Sequence, residues 1–205
     1  MFRYKTVKKE AEAEQIIDRS RFIAYICPVG SREEAEAFVA RIRGMHRQAT
    51  HNVPAYIIGE KSELQWCSDD GEPQGTSGAP MLQMLAREGI TNVAVVVTRY
   101  FGGIKLGTGG LVRAYTGSAK LALEAAGIHE VTERAFLSVR LDYTYLGKLK
   151  NLEKEGGFVI EDIRYTEAVE GLLSCLPEDA DSVKDMLADM TGGGCLLLDE
   201  RRELV

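Results

Sequence analysis

The stretch "NVAVVVT", residues 92–98, is the tightest constraint in this chain. It is continuous, apolar and rich in β-branched side chains. Such a run reads as a strand covered on both faces, because an amphipathic strand would alternate. It leads into "RYFGGIKLGTGG", and five of the thirteen residues from Thr98 to Gly110 are glycine. A helical pattern follows, predicted from about Leu111 to Ala126, with Gly127 as its stop. Any fold for this chain must therefore place a glycine-rich strand-to-helix turn beside its most buried strand.

The elements before that turn are legible. "FRYKTVKK" alternates weakly, and "RFIAYICPV" (21–29) reads as a buried strand. "SREEAEAFVARIRGMHRQ" has the pattern of a capped helix. Ser31 and Glu34 form a capping box, and Ala35, Phe38, Val39, Ile42 and Met45 follow at helical spacing. "NVPAYIIG" and "ELQWCS" are strands joined by "EKS", a hairpin-length turn. "DDGEPQGTSG" is a loop by composition, and a helix is expected from Ala79 to Arg87 with Pro80 in its first turn.

A second pattern begins near residue 133. "AFLSVRLDY" is a strand and "TYLGKLKNLEKEG" a helix with Leu146, Leu149 and Leu152 in its stripe. "FVIEDIRY" and "AVEGLLSCL" are strands. "EDADSVKDMLADM" is a helix, and "CLLLDERR" a last strand. The order β-α-β-β-α-β predicts a ferredoxin-like unit, provided both helices cover one face of the sheet. The expected organisation is two domains, 1–131 and 132–205, in the α+β class.

Charge separates the same two parts. Residues 1–132 hold 16 Lys+Arg and 15 Asp+Glu, a balance of +1, whereas residues 133–205 hold 9 and 16, a balance of −7. Clustered cations hold phosphate backbones, so any nucleic-acid contact belongs on the first part. No apolar run approaches the roughly 20 residues that span a bilayer. The start, "MFRYKTVKKEAEAEQ", is too charged for a secretory signal. Cys27, Cys67, Cys175 and Cys195 lie far apart without a C-x-x-C pair and read as reduced thiols. Together these features predict a cytoplasmic protein with no membrane partner.

Three stretches carry candidate chemistry. In the glycine turn, Gly102, Gly103 and Gly107 permit positive φ and close backbone approach. The helix N-terminus favours an anion, and Arg99, Lys105 and Thr108 add charge and hydrogen bonds. Neither the Walker pattern nor G-x-G-x-x-G fits, so phosphate cradle and simple hinge stand as equal readings. In "DDGEPQGTSG", Thr76 and Ser77 stand at a second helix entrance. Asp69, Asp70 and Glu72 could bridge Mg²⁺, or Asp70-Gly71 could be a turn and Thr76 or Ser77 an N-cap. In "HRQATHNVP", the spacing of His46 and His51 does not suit a metal pair. His51 and Asn52 could face a cleft, or fix a loop. Cys67 precedes three acids, the wrong neighbourhood for a reactive thiolate. No G-x-S-x-G elbow occurs. No cofactor and no metal is expected.

"ATHNVPAY", "CSDDGEPQGTSGAP" and "VVVTRYFGGIKLGTGGLVRAYTGSA" resemble the signature blocks of the Impact/YigZ family over residues 15–127. "DYTYLGKLKNLEKEGGFVIEDIRYTEAV" is similar to the C-terminal domain of its bacterial YigZ-type members. The resemblance implies an N-terminal domain like domain 2 of ribosomal protein S5, a sheet with helices packed on one face. It also implies a ferredoxin-like C-terminal domain similar to the last domain of elongation factor G. Two departures stand out: Ala79 replaces a lysine usual in the family block, and Val53-Pro54 replaces a Cys-Tyr pair. Eukaryotic Impact proteins regulate translation. The resemblance therefore implies a translation-linked binding protein, engaging RNA, the ribosome or a translation-associated protein. Its expected cleft draws on His51, Asn52, Asp70, Glu72, Arg99, Tyr100 and Lys105, with Phe101 a further stacking face. The alternatives are an enzyme acting on a phosphorylated small molecule and, less favoured, a hydrolase built on His51 with one of the three acids. No complete catalytic set is visible.

Overall fold

The computed structural model describes residues 2–205. They form two compact units, one spanning Tyr4–Glu130 and the other Val131–Val205 together with the first residues of the chain. In order, the first part contains β1 (Phe2–Val7), β2 (Ala11–Ile17), β3 (Ser20–Pro28), α1 (Arg32–Met45), β4 (His51–Ile58) and β5 (Leu64–Cys67). It continues through α2 (Gly78–Arg87), β6 (Val93–Tyr100) and α3 (Gly107–Ala126). Then come β7 (Ile128–Leu141), α4 (Leu146–Glu155), β8 (Phe158–Tyr165), β9 (Val169–Cys175), α5 (Ala180–Thr191) and β10 (Leu196–Leu204).

The sheet of the first unit runs β2-β3-β6-β4-β5, antiparallel throughout, with β6 at its centre. Val93, Val95 and Val97 point into one core with Met81 and Leu85 of α2 and Ala114, Tyr115 and Ala122 of α3. Ala94 and Val96 point the other way, into a core with Ala35, Phe38, Val39 and Ile42 of α1. The sheet thus carries helices on both faces, which corrects the one-faced arrangement that the family resemblance implies. The physical reason is in β6 itself: seven of its residues, Val93 to Arg99, are buried, so neither face can be left to water.

Local signals account for most element ends. Ser31 Oγ accepts the Glu34 N–H at 3.2 Å, and Glu34 Oε2 accepts the Gly30 N–H at 2.7 Å, one residue outside the usual box partner. Gly127, at φ 71°, stops α3. The start of α3 is the exception. The helix begins at Gly107 rather than near Leu111, so Gly107 to Gly110 form its first turn. Glycine composition marks these residues as loop, but a helix start tolerates glycine where tertiary packing holds the rest.

In the second unit, β8-β9-β7-β10 run antiparallel in ferredoxin-like order, within a five-stranded sheet whose remaining strand is β1. Leu149 of α4 and Val183 and Leu187 of α5 pack on the same face as Leu137, Val139 and Leu173. Both helices cover one face, the condition the β-α-β-β-α-β pattern required.

Two turns position the glycine segment. Asp18 and Arg19, at φ 45° and 65°, form the two-residue connection between β2 and β3. Gly102 lies against that turn: a Cβ there would stand 2.0 Å from both the carbonyl carbon and the oxygen of Arg19. Gly102→Ala is therefore expected to destabilise the protein by about 2–4 kcal/mol, since backbone must move on one side or the other. Urea unfolding of the two proteins measures it, and a change within about 0.5 kcal/mol would show that the turns do not need this contact.

Candidate functional site

His51 of β4 pairs directly with Arg99 of β6, so both side chains leave the same face of the sheet. The 68–77 loop lays Glu72 over them, and the entrance of α3 closes the other side. A cavity of about 450 Å³ results, lined by Thr50, His51, Glu72, Pro73, Arg99, Phe101, Lys105, Leu106, Gly107, Thr108 and Leu111.

Its floor is a buried charge network. Arg99 is 5% exposed and Glu72 8%. Arg99 Nη1 donates to Glu72 Oε1 at 2.6 Å, and the Tyr115 hydroxyl donates to the same oxygen at 2.7 Å. Burial, then the bond to Glu72, pushes the Tyr115 hydroxyl far above the usual phenol range, so it remains a neutral donor. Arg99 Nη2 donates to Ser20 Oγ at 3.3 Å, while Arg99 Nε has no acceptor. His51 Nδ1 lies 2.8 Å from the Asp70 carbonyl, which can only accept, so this nitrogen carries a proton. His51 Nε2 then faces Glu72 Oε1 at 3.7 Å, an ion pair when the ring is protonated and an open acceptor when it is not.

Of the residues singled out in the sequence, His51, Glu72, Arg99, Lys105, Gly107 and Thr108 converge on the cavity. Asn52 and Tyr100 do not. Each is one position beyond a cavity residue on its strand, and alternate residues point to opposite faces. Asn52 Oδ1 accepts from Thr98, and the Tyr100 hydroxyl meets His46 Nδ1 at 2.9 Å, on the α1 side. Gly102 serves the turn contact described above. Gly103, at φ 87°, shapes the loop, and neither glycine lines the cavity.

The three acids diverge. Asp70 accepts from the Asn52 amide at 2.6 Å and from Arg43 at 2.9 Å. Asp69 accepts from the amides of Gly75, Ser77 and Gly78 and from the Ser77 hydroxyl, at 2.7–3.2 Å. The Mg²⁺-bridging arrangement is therefore not formed. Among the described residues no group of three or more His, Cys, Asp and Glu side chains converges as a metal-binding set. Asp69 also corrects the capping expectation. Ser77 occupies the N-cap position of α2 without a side-chain cap bond, and the carboxylate of Asp69 supplies the acceptor. The Thr76 hydroxyl donates to the Pro73 carbonyl at 2.6 Å. Burial and the charge of Asp69 raise the Cys67 thiol, as its acidic neighbourhood predicted.

Sequence reasoning missed Tyr115 and Ser20. Tyr115 had a signal: it sits on the apolar stripe of α3, and a buried hydroxyl requires a partner. Ser20 had none, because its partners lie 79 and 82 residues away.

Fold and site together define a two-unit α+β protein, joining a unit like domain 2 of ribosomal protein S5 to a ferredoxin-like one. The Impact N-terminal domain model matches residues 18–123, which include the whole cavity, and a domain of unknown function (DUF1949) matches residues 139–193. IMPACT family member YvyE of Bacillus subtilis is 40% identical over 190 residues, 93% of this chain and 88% of that one. IMPACT family member YigZ of Escherichia coli is 39% identical, over 66% and 68% of the two chains. The crystal structure of a hypothetical protein aligns over 97% of both chains with a TM-score of 0.63 and 32% identity. The chain belongs to the Impact family.

The Asp69 bonds have a pH consequence. Burial raises its carboxyl, but four hydrogen bonds outweigh that and leave the folded-state pKa below the ordinary value. The stabilisation is thus complete above the usual carboxylate range and disappears as pH falls through the lowered value. Asp69→Ala is expected to cost about 1–3 kcal/mol at neutral pH, with the gap to wild type narrowing in acid. Denaturant midpoints over a pH series measure this, and a gap independent of pH would deny the carboxylate that role.

Proposed function

We propose that this chain is a cytoplasmic, translation-linked regulatory or binding protein. Its domains are 1–131 and 132–205, and the cavity beside β6 and α3 engages RNA, the ribosome or a translation-associated protein. The observation that carries this reading is the position of the cavity, built entirely from the segment that matches the Impact N-terminal domain. Eukaryotic members of the family regulate translation, and membership supports the same general role here. The geometry supports recognition over turnover. Glu72 Oε1 is already engaged by Arg99 and Tyr115 through buried hydrogen bonds, which favours a fixed recognition surface.

A near-neutral first part means that attraction must be local rather than a field over the whole surface. Lys105 is exposed at the rim of the cavity and makes no ion pair with any described residue. The second reading, an enzyme on a phosphorylated small molecule, is favoured by one observation, the uncapped start of α3 in the same cavity.

A tagged full-length chain is expected to retain its partner in low salt and release part of it in high salt. Lys105→Glu should reduce capture at least about threefold without moving the unfolding midpoint, because an exposed rim charge contributes little to stability. Unchanged capture by Lys105→Glu and by His51→Ala would place the partner's surface elsewhere. A rise in melting temperature with nucleotide and Mg²⁺ that is accompanied by turnover would favour the second reading.

A further inference from the structure

We propose that the outer edge of β10 is the contact between two copies of this chain, paired antiparallel about a twofold axis at Arg201. This goes beyond the binding reading above and stands on the second unit alone.

β10 pairs with β7 on one side and with no described strand on the other. All nine of its residues are exposed. Leu196, Leu197, Leu198 and Leu204, with Val205 just beyond the strand, put a row of large apolar side chains into water. A long apolar edge with open backbone groups is a template for another strand.

The ladder fixes which backbone groups are open. Val205 exchanges both backbone bonds with Thr132, at 2.9 and 2.7 Å. Bonds in an antiparallel ladder alternate, so Glu203, Arg201 and Asp199 also turn toward β7. Glu200, Arg202 and Leu204 therefore present N–H and C=O outward. An incoming antiparallel strand must set outward residues opposite outward residues. For two identical strands this puts a residue, not a peptide bond, on the twofold axis.

Charge selects both the occupant and the register. The order along β10 is Asp199, Glu200, Arg201, Arg202, Glu203. Charges on an edge ordinarily repel a second strand, but this order complements its own reverse. A uniformly basic or acidic peptide would match part of the edge and oppose the rest. With Arg201 on the axis, Glu200 stands opposite Arg202 of the second copy, and Arg202 opposite Glu200 of the second copy. The two pairs exchange four backbone hydrogen bonds. Arg202 makes no hydrogen bond or ion pair with any described residue, so its charge is free for this contact. Arg201 is already held by Asp199 at 3.3 Å and Glu203 at 2.6 Å on its own strand. The axis thus gathers two guanidinium groups among four carboxylates. An axis on Arg202 would instead set two unpaired arginines face to face, and one on Glu200 two carboxylates.

The same register brings Leu198 opposite Leu204 of the second copy and Leu197 opposite its Val205, which takes the apolar row out of water. The bulge between Leu197 and Asp199 limits the regular ladder to the charged centre. So short a contact buries less than the roughly 800 Å² per partner of a standard interface, and the dimer is therefore concentration-dependent.

Sedimentation of the full-length chain over a concentration series tests this. The mean mass should rise toward that of two chains. Glu200→Arg and Arg202→Glu each put like charges across the axis and should weaken self-association at least about tenfold, with the melting temperature little changed. Mixed together, the two variants should associate again, because each carries the charge that the other lacks. Arg202→Pro removes an outward N–H while leaving the β7 ladder intact, and should also abolish association. A chain that stays monomeric at every concentration, association indifferent to both single substitutions, or no recovery in the mixture overturns the proposal. Pairing of β10 with an unrelated extended peptide, without self-association, assigns the edge to another occupant and overturns it as well.

Discussion

One oxygen atom, Oε1 of Glu72, gathers the first unit around itself. Arg99 reaches it from β6, Tyr115 from α3, and His51 approaches it from β4. Burying a carboxylate this deeply is costly unless such partners offset it. The 68–77 loop has little apolar surface with which to pack, so this electrostatic requirement fixes its place. Arg99 extends the same network to Ser20, at the start of β3. The strands, the loop and the long helix are thus tied at one point, and the cavity is the space left beside the knot.

Much of the scaffold was legible in residue patterns, because burial and capping are local. The continuous run in β6 foretold two covered faces, and the structure supplies α1 on one and α2 with α3 on the other. The family resemblance implied a single covered face, and the valine pattern was the better guide. The order of strands and helices after residue 133 pointed to the ferredoxin-like unit directly.

The site was less legible, for two reasons. The first is parity. His51 with Asn52, and Arg99 with Tyr100, are neighbours on strands, so each pair had to divide between faces; the two-residue period of a strand carries that information by itself. The second is distance along the chain. Nothing near Asp69 reveals that its carboxylate turns to α2, nor anything near Ser20 that its hydroxyl meets Arg99. Two glycine-rich entrances look alike as composition, yet one is closed by the chain's own acid and the other is not. That difference depends on where a single side chain points.

The contact between Gly102 and the Asp18–Arg19 turn joins two segments that are 82 residues apart at Ser20 and Gly102. Neither segment can change length or acquire bulk alone. A residue inserted in the hairpin would lift the floor beneath Arg99, and a side chain at position 102 would push the hairpin away. The two turns therefore behave mechanically as a single part, and a change in the bulk or length of one must be absorbed by the other.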